Sequence, residues 1–442
     1  MDTALSKKFN IKEILRFTIP SVIMMMFFSL YTIVDGIFIS NYVGTLALGA
    51  LNIIFPFQCL CIGLAIMIAT GGSAIVARYL GENENEKAKS LFTLFVVFEI
   101  FVAILMLLIG LVFQEQIVYL LGASELQKPF ALEYFRIYLS MLPFIFLQNA
   151  FQTLFVTAGH PKLGLFLIIL AGITNIGLDF VFLDLFSMGI SGAALGTVIA
   201  CMVPSVTGLI YFSLNRKGTL YFVKFKIDFR NIRGAMLNGS SEMITNLANA
   251  ITTFLFNMQC MRFYSEDGVS AITIILYFQF LISAIYFGYS TGIAPVISYK
   301  YGSNDKNQLK YIYSRSLMII IGISVIAFTA SFGLIYPVTS LFSNNNDNVY
   351  NIVISNYKYY APSFLIFGIS VFASSFFTAL GNGIISGIIS FSRTFLFLSL
   401  SLILLPLIFN EAGIWISVPV AEVIGLIVSI ICLFKYKNKY LL

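Results

Sequence analysis

Two stretches of this 442-residue chain decide its fold: FQCLCIGLAIMIATGGSAIVARYLGENENEKAKS at residues 57–90 and FQFLISAIYFGYSTGIAPVISYKYGSNDKNQLKY at residues 278–311. Each begins with an apolar run long enough to cross a membrane and ends in a polar, glycine-containing turn. A shift of 221 residues superimposes identical residues, among them Gln58 with Gln279, Gly71 with Gly292 and Gly81 with Gly302. The match predicts that the chain is built from two related halves.

The composition predicts an all-α polytopic membrane protein. Hydrophobic residues make up 59% of the chain and charged residues 10%, against roughly 25% charged in a soluble domain. A soluble fold has too little interior to bury that much apolar surface. Hydropathy and helix breakers predict twelve transmembrane helices, at about 14–40, 46–80, 87–113, 129–158, 161–184, 190–212, 232–260, 267–300, 306–336, 350–380, 383–408 and 411–434.

The distribution of lysine and arginine predicts the orientation, because positively charged flanks stay on the cytoplasmic side. It places both termini in the cytoplasm and the chain in the inner (plasma) membrane as a multi-pass protein. The first fifteen residues lack the apolar core and cleavage site of a signal peptide, so we expect the N-terminus to be retained. The outer flanks then hold only four cations: Lys128, Arg136, Arg262 and Lys358.

The longest inner loop divides the chain almost in half. It predicts an N-terminal lobe at 1–212 with helices one to six, a cytoplasmic linker at 213–231 and a C-terminal lobe at 232–442 with helices seven to twelve. A shift of 222 residues also superimposes Phe155 and Gly159 on Phe377 and Gly381. Six is an even number of helices, so the lobes are parallel pseudo-symmetric repeats, an arrangement that frames a central cavity in secondary transporters.

A polar cluster is expected near one level of the N-terminal lobe. Asp35 and Asp179 each precede the outer end of their helices by about five residues, which places both roughly 8 Å below the membrane edge. Asn175 lies one turn before Asp179, and Thr197 lies at a similar depth in helix six. These oxygens suit a shared proton or a bound cation, including a possible Na⁺. The alternative is a structural hydrogen-bond network that holds the three helices together.

Other ionisable residues inside predicted spans are functional candidates by default, because burying a charge in a membrane is costly. Glu99 and Glu422 have no predicted ionic partner, and Glu242 is placed where it can pair with Arg393. The roles of these four residues stay open. Polar and soft side chains predict a cavity for large organic cations: Gln58, Gln152, Asn257, Met258, Gln279, Tyr286 and Tyr289.

Several functional classes are excluded or disfavoured by motif. The chain has no GxxxxGK[ST] loop and no HExxH, and its single histidine, His160, lies in a predicted turn, so neither an ATP-driven pump nor a membrane enzyme is indicated. The five cysteines lack metal-ligand spacing, and the scattered basic residues do not form a nucleic-acid stripe. We expect no cofactor, no catalytic residue and no obligate protein partner; the lipid bilayer and small organic cations are the expected partners.

Over essentially its whole length, the sequence resembles the multidrug and toxic compound extrusion (MATE) transporters, in particular their DinF-like and MepA-like branch. The residues that carry this resemblance are the stretch from Pro20 to Asp35, RYLGENENEKAKS with its repeat KYGSNDKNQL, the TAGHPK turn and the NIGLD segment.

The resemblance implies a V-shaped pair of six-helix lobes that alternates between outward and inward opening. It implies polyspecific export of lipophilic organic cations by secondary active antiport, in exchange for H⁺ or Na⁺. It also implies that Asp35, Asn175, Asp179 and Thr197 form the cation-coupling site. The NorM-like branch places coupling acids on helices seven and ten, but helix ten has no acid here.

Two rival functions are weighed against drug export. A lipid-linked saccharide or lipid flippase of the same superfamily would favour a basic central cavity and often fourteen helices. A membrane-embedded transferase or receptor would need longer polar loops than this chain has.

Overall fold

The computed structural model describes residues 4–42, 45–123, 127–343 and 346–440, and these residues form helices and turns without a β-strand. Two π-helical segments, Phe180–Leu185 and Phe391–Phe397, directly continue the helices before them. The α-helices are α1 (Ile11–Tyr42), α2 (Thr45–Gly81), α3 (Asn85–Val112), α4 (Gln114–Leu120), α5 (Lys128–Thr157), α6 (Pro161–Asp179), α7 (Gly189–Leu214), α8 (Phe229–Gly302), α9 (Lys306–Phe342), α10 (Asp347–Tyr360), α11 (Ser363–Ala379), α12 (Gly383–Ser390), α13 (Leu398–Phe409) and α14 (Glu411–Tyr440).

The helices account for the twelve predicted spans. Within the described residues, ten helical stretches are separately long and apolar enough to cross a membrane. The pair α10 and α11 makes a further span that is bent by 58° next to Pro362. The 74-residue helix α8 contains two spans, because Ser265 has φ 57° and ψ −146° and breaks the helix there. The predicted loop between helices seven and eight is therefore only a break within one continuous helical stretch.

Several prolines lie inside the membrane helices or at a bend between helices. Pro20, Pro56, Pro143 and Pro295 lie inside helices, and Pro362 lies at the bend before α11. Proline removes one backbone donor, which is tolerated in a membrane helix when neighbouring groups satisfy the freed carbonyl.

The helices form two groups, α1 to α7 and α8 to α14, and the repeat seen in sequence reappears in their packing. Gln58 Nε2 donates to Tyr134 Oη at 3.0 Å, joining α2 to α5. In the second group Tyr360 Oη donates to Gln279 Oε1, joining the second half of α8 to α10. The two aligned glutamines thus hold equivalent helix pairs in the two lobes. Between the groups, the chain is non-helical from residue 215 to residue 228, inside the predicted linker.

Both termini lie on one face of the molecule, which we call the termini face. Lys300 Nζ donates to Ser6 O at 2.9 Å, and Asn382 Nδ2 donates to Tyr440 Oη at 2.9 Å. Lys300 ends the second half of α8, and Asn382 is the N-cap of α12. Tyr440 also packs against Tyr301 beside Lys300, so the first and last described segments are both anchored near the end of α8.

The two lobes contact each other at the termini face through glycines. A Cβ atom on Gly81 would lie 2.1 Å from Tyr299 O, and one on Gly302 would lie 2.1 Å from Arg78 O. The same 221-residue shift relates Arg78 to Tyr299. These two contacts are therefore equivalent under the repeat, and they need glycine because any side chain would overlap a backbone carbonyl.

A short N-terminal segment crosses the termini face and touches both lobes. Ala4 packs beside Gly159 of the first lobe. On the second lobe, Phe9 N donates to Gln308 Oε1 at 2.8 Å. Leu5 and Phe9 are buried. The start of the chain is thus part of the contact between the lobes.

Candidate functional site

The two predicted acids of the N-terminal lobe face each other. Asp35 lies seven residues before the end of α1, and Asp179 is the last residue of α6. Their carboxyl groups lie close enough to interact electrostatically and to form a hydrogen bond when one carries a proton. Asp179 is completely buried, whereas Asp35 is half-buried. The structure therefore brings together the two acids that the sequence expected to meet.

Asn175 and Thr197 complete the cluster. Asn175 Nδ2 donates to Thr197 Oγ1 at 3.5 Å, and the Thr197 hydroxyl donates to Ala193 O at 3.1 Å. Asn175 also approaches the Asp35 carboxyl group. Because Asn175 and Asp179 are one turn apart, they share a face of α6. The structure thus brings together all four residues that the sequence assigned to this cluster.

The cluster is rich in oxygen and poor in hydrogen-bond donors. Among the described residues, neither carboxyl oxygen of Asp179 has a hydrogen-bond donor, and the same holds for Asp35 Oδ1 and Asn175 Oδ1. Buried polar oxygens without a partner are unusual, because leaving one unsatisfied costs about 1–3 kcal/mol or more. A proton shared by the two carboxyl groups, or a cation bound among the oxygens, would satisfy them. The residues present therefore fit either H⁺ or Na⁺ as the bound ion.

Sequence reasoning missed one residue that shapes the cluster. A Cβ atom on Gly196 would lie 2.6 Å from Asp179 Oδ1. The backbone of α7 therefore closes directly over this carboxyl group, and glycine is needed at that position. Glycine directly before Thr197 was the only signal, and glycine is common throughout this chain.

Aromatic residues from both lobes surround Asp35. Tyr31 and Tyr134, from the first lobe, lie within electrostatic range of its carboxyl group. From the second lobe, Tyr277 lies within the same range, and its hydroxyl would be 3.4 Å from a Cβ atom on Gly36. The Asp35 side of the cluster therefore lies near the second lobe. In a chain that is 16% aromatic, no sequence signal distinguishes these three tyrosines.

The predicted cavity residues divide into two sets. Gln58, Gln152, Asn257 and Gln279 are half-buried, and Met258 is exposed, so these five remain candidates for a cavity wall. Tyr286 and Tyr289 are fully buried inside the second lobe. Their hydroxyls donate to Phe364 O at 2.8 Å and to Ser316 Oγ at 2.9 Å. Their assignment to a cavity wall is not supported by this structure, because both rings are packed between helices.

The buried arginine of the second lobe, Arg393, pairs with a different acid from the one that the sequence predicted. Arg393 Nη1 donates to Glu422 Oε1 at 3.1 Å, and the guanidinium lies 4.7 Å from the centre of the Phe367 ring. Glu242 is within electrostatic range of Arg393 but forms no salt bridge with it in the described chain. The predicted Glu242–Arg393 pair is therefore wrong as a direct contact. Glu422, expected to lack a partner, is the residue that binds Arg393.

Glu99 is the most isolated acid of the described chain. It lies midway along α3, is almost completely buried, and neither of its carboxyl oxygens has a hydrogen-bond partner there. The sequence expected no ionic partner, and none is found among the described residues. A buried carboxyl group without a counter-ion favours its neutral, protonated form.

These features define a class of protein: a polytopic helical membrane protein of twelve spans in two repeated lobes, with a polar cluster that contains two acids in the first lobe. The sequence profile of the MatE family matches residues 20–181 and 243–403, which is one copy in each lobe and more than half of the chain. The chain therefore belongs to the MatE family, as its resemblance to the MATE transporters predicted.

Curated relatives match over nearly the full length. The chain is 24% identical to the multidrug export protein MepA of Staphylococcus saprophyticus, covering 97% of this chain and 94% of the relative. It is 21% identical to MepA of Staphylococcus aureus, with the same coverage.

Solved structures confirm the fold. A structure of a MATE protein in complex with MaL6 superimposes with a TM-score of 0.93 at 20% identity, covering 99% of this chain and 98% of that one. A multidrug resistance MATE family transporter of the MOP superfamily, solved in an outward-facing conformation, gives 0.92 at 21% identity with the same coverage. A MOP superfamily transporter from Pyrococcus furiosus, described as having a binding pocket of reverse polarity, gives 0.89 at 22% identity, covering 97% and 96%.

Proposed function

We propose that this protein is a secondary active multidrug efflux antiporter that exports lipophilic organic cations in exchange for H⁺ or Na⁺. Membership of the MatE family and the names of the MepA relatives support the transport of small molecules rather than an enzymatic reaction. The observation that supports ion coupling is the cluster of Asp35, Asn175, Asp179 and Thr197, which is poor in hydrogen-bond donors.

The cluster couples ion and substrate movement through its charge. With a proton or sodium ion bound, the two carboxyl groups carry less negative charge and can remain buried together. When the ion leaves, two adjacent carboxylates remain, and their repulsion favours a rearrangement of α1 against α6 and α7. Tyr277 of the second lobe lies within electrostatic range of Asp35 and close to Gly36, so such a rearrangement changes the contact between the lobes. We therefore propose that the coupling step of alternating access occurs at this contact.

The first experiment is ethidium efflux from cells or everted vesicles that contain the protein, with proton and sodium gradients imposed separately. We expect one of the two gradients to drive efflux, and that gradient identifies the coupling ion. A flux that needs neither gradient would contradict antiport. If neither gradient moves ethidium or other organic cations, the lipid flippase becomes the better candidate and is tested with fluorescent lipid.

The orientation is a separate part of the proposal: the termini face is cytoplasmic, and the protein lies in the plasma membrane. The cations of the linker and of both terminal segments support this orientation. A reporter fused after residue 220 is expected to be active in the cytoplasm. A second fusion after residue 265, at the break in α8, is expected to be external, so the reverse pattern would contradict the orientation.

A further inference from the structure

The linker between the lobes is a fixed surface of the termini face. Val223 N donates to Thr93 Oγ1 at 3.1 Å, and Lys89 Nζ donates to Tyr221 Oη at 3.0 Å, so the linker is bonded to the first turns of α3. Leu220 is buried, and the ring of Phe222 lies 5.2 Å from that of Phe92. These contacts hold the side chains of the linker in defined positions.

The linker and the start of α8 carry cations that have no acidic partner. All six are exposed, and none has a carboxylate within 4.0 Å among the described residues. Lysines on the neighbouring turn differ, since Lys87 pairs with Glu84 and Lys89 with Glu86. The six unpaired cations are Arg216, Lys217, Lys224, Lys226, Arg230 and Arg233.

The acid within this segment does not neutralise them. Asp228 is the N-cap of α8, where its carboxylate accepts from Asn231 Nδ2 at 2.7 Å and from Asn231 N at 3.1 Å. Hydrogen bonds from the Asn231 side chain and backbone hold the pKa of Asp228 below its usual range. The Asp228 carboxylate thus caps the helix and pairs with none of the six cations, so the segment keeps a strong net positive charge.

Two of the cations line a depression in this surface. The depression has a volume of about 640 Å³ and is lined by Arg216, Phe222, Val223, Lys224 and Phe225. Arg216 Nη1 donates to Phe222 O at 2.5 Å, which fixes the guanidinium at the edge of the depression and leaves its other N–H groups for a ligand. Two cations beside aromatic rings suit a ligand with an anionic oxygen group and an apolar part.

Exposed apolar side chains flank the same segment. Leu214 at the end of α7 is 75% exposed, and Ile227 and Phe229 at the start of α8 are 66% and 76% exposed. Apolar side chains at helix ends next to unpaired cations are suited to the boundary between acyl chains and headgroups. A soluble anion would satisfy the cations but would leave these apolar side chains in water.

We propose that the linker binds the headgroup of an anionic phospholipid, with Arg216 and Lys224 contacting the phosphate. Phe225 and Phe229 lie on the acyl side of the bound lipid. Because the linker joins the two lobes and is bonded to α3, the bound lipid attaches the first lobe to the leaflet at the termini face. The linker follows the far end of α7 from Asp179, and it shares no residue with the coupling cluster.

The test uses the purified full-length protein in detergent micelles, titrated with phosphatidylglycerol or with phosphatidylcholine, and follows thermal unfolding. Binding to the folded state raises the unfolding temperature, and we expect this rise with phosphatidylglycerol only. For Arg216→Gln/Lys224→Gln, the apparent dissociation constant for phosphatidylglycerol should rise about tenfold or more, since each cation near a charged lipid surface contributes about 1 kcal/mol.

The matched control is Lys162→Gln/Lys310→Gln, which removes the same charge from two exposed lysines outside the linker. It should keep the parental affinity, and Arg216→Lys/Lys224→Arg should restore most of it, which excludes misfolding as the cause. An unchanged affinity in Arg216→Gln/Lys224→Gln would overturn the proposal. So would an equal loss in the control, which would indicate a diffuse charge effect. An equal stabilisation by inorganic phosphate or glycerol phosphate would also overturn it, in favour of a free phosphate compound.

Discussion

Replacing Asp179 with asparagine is expected to abolish gradient-driven efflux while folded protein remains in the membrane. Asparagine has the same shape, so the tight contact with the backbone of Gly196 is preserved. It cannot be ionised, however, and its amide group supplies the donor that this cluster lacks. The cluster would then be satisfied without an ion, and ion release could no longer drive the cycle. Efflux of ethidium should fall to the level of cells without the protein.

The matched control for this variant is Asp184→Asn. Asp184 lies five residues later in the π-helical segment and is exposed. Its replacement removes the same charge close to the cluster without entering it, so efflux should be retained. Asp35→Asn is expected to behave as Asp179→Asn does. Full efflux by both cluster variants would reject the coupling site, and a loss in the control alone would assign the charge requirement to the surface instead.

Replacing Gly239 with alanine is expected to separate the lobes where α8 crosses α2. A Cβ atom at this position would lie 1.9 Å from Met67 O, which is a backbone atom and cannot rotate away. Adding atoms to a well-packed contact typically costs about 1–3 kcal/mol and occasionally more, and the overlap with the Met67 backbone places this variant at the upper end. We expect a clear fall in the unfolding temperature of the purified protein and a loss of efflux.

The control for this second variant is Gly322→Ala on α9, where a Cβ atom would meet nothing within 4 Å. Alanine is favoured over glycine inside a helix by about 1 kcal/mol, so this change should be neutral or slightly stabilising. Equal unfolding temperatures for the two variants would mean that the close contact between α2 and α8 does not contribute to the stability of the folded protein. If the Gly239→Ala protein were stable and showed full efflux, the close contact between α2 and α8 would not be required for transport.

Much of the site followed from the sequence because depth in a membrane can be counted along a helix. Asp35, Asn175, Asp179 and Thr197 were placed near one level by their distance from predicted helix ends, and the structure brings them together. Depth alone does not give the direction in which a side chain points. That limit explains why Tyr286 and Tyr289, at suitable depths, are buried inside a lobe instead of lining a cavity.

The choice of partners in the second lobe shows the same limit. The sequence predicted Glu242 as the partner of Arg393 and no partner for Glu422, yet Glu422 is the residue that binds Arg393. Arg393 lies in the π-helical segment Phe391–Phe397, whose extra residue per turn rotates the side chains relative to an α-helix. The direction of the Arg393 side chain depends on how α12, α13 and α14 pack, so no pattern in the local sequence reveals it.

The sequence by itself determined the membrane class, the twelve spans, the two repeated halves and the residues of the acidic cluster. These properties depend on transfer into lipid and on spacing along single helices, and both are local quantities. The tertiary structure decided the rest: the break of α8 at Ser265, the closure of Gly196 over Asp179, the glycine contacts between the lobes and the partner of Arg393. Each of these depends on how separate helices rotate and approach one another, which is settled only when the lobes pack.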